Sequence, residues 1–190
     1  MKKSIIIISA VIILFACFFG NTRAQSPTPE KTIKPTPTPK TIDYNLAYPG
    51  MLPDSPIYKL KVLRDKITEK LISDPAKKVE FYLLQTDKQI LAASMLADKK
   101  EVSLAKETAL KGENNYSKLV YEYQTLNRKP NKTEFNKLKL AALKHQEVLN
   151  NIIKKVSNQD KKTFNDVIYF SQVNLQNVNN LYNSQDLEEL

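Results

Sequence analysis

Residues 102–126 read VSLAKETALKGENNYSKLVYEYQTL, and the apolar or small residues in this segment recur at alternating spacings of three and four. That spacing places them on one face of an α-helix, over three heptads. Ala105, Ala109 and Gly112 make one end of the face thin, so a partner helix can approach closely there. The sequence leaves open whether that partner belongs to the same domain or to a second copy. The full face is Val102, Ala105, Ala109, Gly112, Tyr116, Leu119, Tyr123 and Leu126.

Two further helices are predicted before this stretch. The first opens with Ser55 as N-cap and Pro56 in its first turn, and the second opens with Asp74 as N-cap and Pro75 as its first residue. The second helix ends in a charged turn at residues 98–100. Apolar residues at helical spacing follow each start: Ile57, Leu60, Leu63, Ile67 and Leu71, then Val79, Leu83 and Ile90.

Two helices follow Pro130, which stops the third. Asn131 and Glu134 form a capping-box variant at the start of the fourth. The polar cluster of residues 157–160 precedes the fifth, and this boundary is weakly marked. The apolar lines are Phe135, Leu138, Ala142, Leu149, Ile152 and Val156, then Phe164, Ile168, Leu175, Val178 and Tyr182. The prediction is an all-α protein, an antiparallel bundle of about five amphipathic helices.

Composition excludes several classes of protein. The chain has 190 residues with 29 Lys plus Arg against 20 Asp plus Glu, giving a formal net charge of +9. Its three Gly cannot build a glycine-rich phosphate loop, and its single Cys cannot build a disulfide framework or a thiolate zinc site. We therefore expect no cofactor and no bound metal.

The first 24 residues are typical of an export signal. A basic start (Lys2, Lys3) precedes an apolar run over residues 5–19, and Ala24 closes a small-x-small triplet. Three outcomes stay open: cleavage after Ala24, lipidation of Cys17, which lies in a lipobox-like sequence, or an uncleaved N-terminal anchor. In each case we expect the rest of the chain to be exported, either extracellular or associated with the cell envelope.

Residues 25–47 are predicted to be a disordered linker. The segment 26–40 reads SPTPEKTIKPTPTPK, with five Pro alternating with Thr and Lys, and it would form an extended spacer of about 45 Å. The predicted organisation is thus a signal peptide or anchor over 1–24, a Pro/Thr-rich linker over 25–47 and a helical bundle domain over 48–190.

A motif at the start of the domain carries a family resemblance. Residues 48–61 read YPGMLPDSPIYKLK, and Ser73, Asp74 and Pro75 follow at the start of the second helix. The chain resembles, over residues 48–125, an uncharacterised domain family of exported or membrane-anchored bacterial proteins with a Leu-Pro-Asp-Ser-Pro-x-Tyr opening. The resemblance implies helical architecture and export, and it supplies no catalytic residue. We expect Ile57, Tyr58 and Leu60 to dock on the bundle, with a recognition surface over residues 48–58 as the alternative.

The single histidine is the only candidate for catalytic chemistry. His145 falls on the apolar line of the fourth helix, between Leu138 and Ile152, and the scattered acids offer no pair to single out. We interpret it as a partly buried, hydrogen-bonded residue, and we interpret Glu134 and Glu147 as solvated helix residues. A general base needs partners that this pattern does not reveal. We therefore expect no enzyme activity.

Charge is unevenly distributed along the chain. Residues 128–162 hold ten basic residues and three acids, whereas residues 163–190 hold four acids and no base. Lys137, Lys144 and Lys155 lie nearly on one line of the fourth helix and are candidate contacts to an anionic surface.

The sequence therefore predicts an exported cell-envelope helical module that acts by non-enzymatic protein binding or scaffolding. The alternative is an electrostatic binder of anionic wall polymer or lipid through residues 128–162. The expected partner is an envelope protein or an anionic envelope surface. Intracellular nucleic acid is excluded by export, and membrane contact is expected only through the N-terminal segment.

Overall fold

A computed structural model of the chain describes residues 41–126 and 128–184. The predicted signal peptide, Cys17 and the linker up to residue 40 lie outside these residues. The described part contains five helices, which are α1 (Tyr58–Leu71), α2 (Pro75–Asp98), α3 (Val102–Thr125), α4 (Lys132–Ile153) and α5 (Asn158–Asn183). None of these helices is both long enough and apolar enough to span a membrane. The all-α prediction is confirmed.

Helices α2 to α5 form an up-down-up-down bundle. Helix α2 packs on α3 and α4, and α5 packs on α3 and α4. Asp98 at the end of α2 pairs with Lys155 just after α4 at 2.7 Å, so these two helices run in the same direction. Lys106 near the start of α3 likewise pairs with Asp160 near the start of α5.

The caps predicted for α2 and α4 are confirmed, and α5 has a cap that was not predicted. Oδ1 of Asp74 accepts from the backbone N–H of Ala76, and Pro75 is the first residue of α2. Asn131 and Glu134 form a complete capping box at the start of α4. The Ser157 side chain caps α5, which settles the weakly marked boundary.

The thin face of α3 packs inside the domain. Tyr116, Leu119 and Tyr123 are buried in a cluster with the first half of α2, and Ala105 and Ala109 are buried with its second half. A Cβ built on Gly112 would lie 3.2 Å from Cδ1 of Ile90, so α2 occupies the space that glycine leaves. The partner of this face is therefore α2 of the same chain.

The first helix departs from the prediction. It begins at Tyr58, and its N-cap position is held by Ile57 without a side-chain hydrogen bond, so Ser55 is not the cap. Ser55 instead lies in a turn, where its N–H donates to Leu52 O and its carbonyl accepts from Tyr58 N–H. These two bonds close a separate turn over residues 52–58, and the helix begins only after it.

Residues 41–47, assigned to the linker from composition, lie on the bundle. Ile42 N–H donates to Oε2 of Glu147 at 2.7 Å, and the Lys144 amine bonds Oε1 of Glu147 at 2.8 Å. Tyr44 and Leu46 pack against the two halves of the core. These contacts could not be anticipated because the segment carries no periodic pattern.

Candidate functional site

Five of the buried polar side chains of the bundle, together with the half-buried Tyr44, meet in one layer. The layer separates two apolar clusters, one around Tyr116 and Leu138 and one around Ile90 and Phe164. Each of α2, α3, α4 and α5 contributes to it, and so does the segment before α1. We call these residues the polar layer: Tyr44, Asp87, Glu113, His145, Ser171 and Asn174.

His145 is fully enclosed in the polar layer, more deeply than predicted. Its Nε2 lies 2.9 Å from Oδ1 of Asp87, and its Nδ1 lies 3.6 Å from Oε1 of Glu113. Asp87 Oδ2 accepts a hydrogen bond from the Tyr44 hydroxyl at 2.8 Å. The interpretation of His145 as a hydrogen-bonded residue agrees with these contacts. The sequence pattern did not reveal its partners, because helix packing brings two acids from distant parts of the chain to it.

Glu113 is held by neighbours from α5. The Asn174 amide donates to Oε2 of Glu113 at 2.9 Å and to its backbone carbonyl at 3.0 Å. Burial raises the pKa of the Glu113 carboxyl, and the opposing influence of His145 and Asn174 is smaller. The described part of the chain holds no group of three or more His, Cys, Asp or Glu side chains arranged to bind a metal ion.

The polar layer lies inside the core of the bundle. His145 and Glu113 are both 0% exposed, so a substrate cannot touch them without opening the core. Buried polar groups that must find each other penalise other registers of the four helices. We therefore place the candidate functional site on the surface.

The three lysines predicted to contact an anionic surface are differently placed. Lys137 is exposed near the start of α4. The Lys144 amine is half-buried, pairs with Glu147 and lies beside residues 41–46. Lys155 pairs with Asp98 at 2.7 Å. Because residues 41–46 cover Lys144, the three lysines do not form one continuous exposed line on α4.

The apolar line of α1 faces solvent. Its five residues are between 50% and 76% exposed, and α1 has no buried residue. The expectation that Ile57 and Leu60 dock on the bundle was wrong; the opening motif docks through Pro49 and Leu52, which are buried. We call this line the α1 stripe: Ile57, Leu60, Leu63, Ile67 and Leu71.

The side of α1 that faces the bundle is largely polar. Glu69 accepts hydrogen bonds from the Tyr82 hydroxyl at 2.8 Å and from the Lys118 amine at 3.0 Å. Although burial acts in the opposite direction, these two bonds lower the pKa of Glu69. A cavity of about 330 Å³ separates α1 from α2 and α3, and Tyr58, Val62 and Asp65 line its α1 side.

The apolar face of α1 points outward and its polar face points to the bundle, which explains why the orientation predicted from the sequence was wrong. Periodicity identifies an apolar face but does not say whether that face meets the core. Two signals were available: five basic residues surround the α1 stripe, and Asp65 and Glu69 lie together on the other side of the helix. The basic residues are Lys59, Lys61, Arg64, Lys66 and Lys70.

Fold and site together define an all-α bundle module that carries a surface helix with its apolar side outward. Residues 50–159, more than half of the chain, match the family described as a domain of unknown function, DUF5667, and the chain belongs to this family. The match takes in α1 to α4 and ends at the start of α5. No curated protein and no solved structure matches the chain.

Proposed function

We propose that the protein is a non-enzymatic binding or scaffolding module of the cell envelope, and that it docks through the α1 stripe. The observation that carries this proposal is the outward orientation of five large apolar side chains on one helix face. Contiguous apolar surface of this kind is typical of interaction sites, whereas single exposed apolar residues are ordinary.

The remaining exposed apolar residues support the choice of α1. Those on the bundle are scattered, for example Tyr121 on α3, Leu140 on α4 and Tyr169 on α5. Only α1, among the described helices, gathers them along a line at helical spacing. Its polar inner side already has partners in Tyr82 and Lys118, so the stripe is the side of α1 left for another molecule.

A non-enzymatic role is supported by where the titratable groups are. General acid–base catalysis needs a group within hydrogen-bond reach of the substrate. The most densely clustered titratable groups, Asp87, Glu113 and His145, lie at 7% exposure or less and bond one another or Asn174 and Tyr44. Their arrangement suits a core and not a reaction site.

Action at the envelope is supported by the N-terminal sequence. Residues 1–24 have the pattern of an export signal, and the Pro/Thr-rich residues 26–40 have the composition of a spacer. A docking module on a spacer would search the volume around its attachment point.

The α1 stripe is a stronger candidate than the basic line of α4. Lys144 and Lys155 each already pair with an acid, which leaves Lys137 as the fully available amine of the three. We therefore expect Lys137→Gln with Lys155→Gln to leave docking intact, which distinguishes the two surfaces.

Photocrosslinking in the cells that produce the protein tests the proposal. A photoreactive residue in place of Leu63, at the middle of the α1 stripe, should give crosslinks to a partner molecule, either protein or lipid. The same residue in place of Tyr169, which is 69% exposed on α5, is the matched control. Equal crosslinking at the two positions would contradict the proposal.

A further inference from the structure

We infer that the molecule that covers the α1 stripe is the surface of an anionic lipid bilayer, on which α1 lies parallel to the membrane plane. The inference rests on the proposed function, because it names the partner of the same face. Three features of α1 carry it: the placement of its basic residues, the placement of its acids and the size of its apolar face.

The basic residues of α1 lie around the stripe. Four of the five are exposed, whereas the side chain of Lys61 is only 12% exposed and pairs with Asp65. At 100° per residue, Lys59, Lys66 and Lys70 lie along one edge of the stripe, and Arg64 lies on its opposite half with Lys61 beside it. An apolar face bordered by Lys and Arg is the pattern of helices that lie in the interface of anionic membranes.

Both acids of α1 point away from the stripe and are neutralised. Asp65 pairs with Lys61 and Arg64, at 3.3 Å and 2.7 Å. Glu69 pairs across to Lys118 on α3 at 3.0 Å. Asp65 holds Lys61 and Arg64, so the positive charge that borders the stripe is carried chiefly by Lys59, Lys66 and Lys70 along one edge. Apolar surface beside such an edge is complementary to anionic headgroups above acyl chains.

The size of the face suits a bilayer, and its charge disfavours a second copy. A helix of 14 residues is about 21 Å long and can lie flat on a membrane. Each of its apolar side chains would enter the bilayer separately. Two copies docked stripe to stripe would bring like-charged borders together.

The attachment of α1 allows this contact without opening the core. The helix is held through its inner side by Glu69, which bonds Tyr82 and Lys118. The turn before it is held by Asp54, which pairs with Lys99 at 2.6 Å. An interfacial helix buries its apolar face about 5–10 Å into the boundary between headgroups and chains. The stripe can reach that depth while these inner contacts stay in place.

A fluorophore on α1 tests the inference with the full chain. Leu63→Cys, in a chain that also carries Cys17→Ser, is labelled with a polarity-sensitive dye and mixed with phosphatidylcholine vesicles with or without phosphatidylglycerol. We expect a blue-shifted emission, quenched by bromolipid, that needs phosphatidylglycerol and weakens as salt rises from about 0.1 M to about 1 M. Leu60→Gln with Ile67→Gln should weaken binding and so raise the half-saturating lipid concentration at least about tenfold.

The matched control carries the dye at Tyr169→Cys and should show no shift. This readout reports on α1 even where residues 1–24 attach the chain to the vesicle. No shift at position 63, an equal shift at position 169, or a shift that ignores phosphatidylglycerol would each overturn the inference. Protein crosslinks at position 63 without a vesicle response would overturn the inference and leave the proposed function standing.

Discussion

Nε2 of His145 lies 2.9 Å from Oδ1 of Asp87, and the two residues, 58 positions apart in the chain, are buried between the apolar halves of the bundle. Asp87 also accepts the hydroxyl of Tyr44, which ties the segment before α1 to the same carboxylate. One side chain thus connects α2, α4 and the N-terminal segment. Removing it leaves two buried polar groups without their partner.

Asp87→Ala should lower the free energy of unfolding by about 3 kcal/mol, because breaking a buried pair leaves the remaining group uncompensated. Urea unfolding followed by circular dichroism measures the change. The control is Asp98→Ala on the same helix, whose carboxylate pairs with Lys155 at the surface and should contribute at most about 1 kcal/mol. Equal losses of unfolding free energy in the two variants would show that Asp87 contributes no more to stability than a surface ion pair does.

Glu113→Gln should remove a pH dependence of stability. Burial raises the pKa of Glu113 above 4.5 in the folded protein, so the folded state resists losing this proton. The contribution of this carboxyl to the free energy of unfolding is fully present below pH 4.5. It is lost as the pH rises through the pKa of the folded state. The difference in unfolding free energy between variant and parent should therefore grow in favour of Gln as pH rises.

Melting curves of both proteins from acidic to mildly alkaline pH measure that difference. Subtracting the two removes the contributions of other groups, such as Glu134, whose pKa is lowered by Arg128 and Asn131 against the effect of burial. Parallel stability curves would contradict the prediction.

Gly112→Leu should destabilise the bundle by about 2 kcal/mol or more, since even a Cβ at this position lies 3.2 Å from Ile90 and a larger side chain must displace α2. Lys111→Leu is the matched control, because the neighbouring side chain is 64% exposed and the substitution adds no buried volume. Thermal unfolding of the pair measures the effect. Similar melting temperatures would mean that α2 does not approach α3 closely at this point.

Leu60→Gln, Leu63→Gln and Ile67→Gln together should leave the unfolding of the bundle nearly unchanged, by about 0.5 kcal/mol or less per site. Glutamine keeps the helix propensity of α1, and the three parent side chains already face solvent. Leu96→Gln, at a fully buried position, should instead cost about 3 kcal/mol or more. A large loss from the triple variant would show that the α1 stripe is part of the core.

The bundle could be predicted from sequence because its signals are local. Asp74 before Pro75, the capping box of Asn131 and Glu134, and the spacing around Gly112 each act within one or two helical turns. Short connections between consecutive helices then predict that neighbouring helices pack antiparallel against each other. The start of α1 was placed too early, because the sequence pattern does not show that residues 52–58 close a separate turn before the helix.

The polar layer could not be predicted from the sequence, because its contacts join residues that are far apart in the chain. His145 was recognised on an apolar line, but Asp87 and Glu113 were not assigned to it, because pairing across helices leaves no local spacing to find. A signal did exist: Asp87 lies four residues after Leu83 and three before Ile90, which is a core position on α2. Periodicity likewise could not tell that the α1 stripe faces away from the bundle.

Thiol labelling of Leu63→Cys, measured on the purified protein and in intact cells, shows whether another molecule covers the α1 stripe. We expect fast labelling of the purified protein and strong protection in cells. Tyr169→Cys should label fast in both settings, and the parent chain with Cys17 alone sets the background. Slow labelling of position 63 in the purified protein would mean that α1 packs into the core. Fast labelling of position 63 in both settings would mean that no molecule covers the α1 stripe.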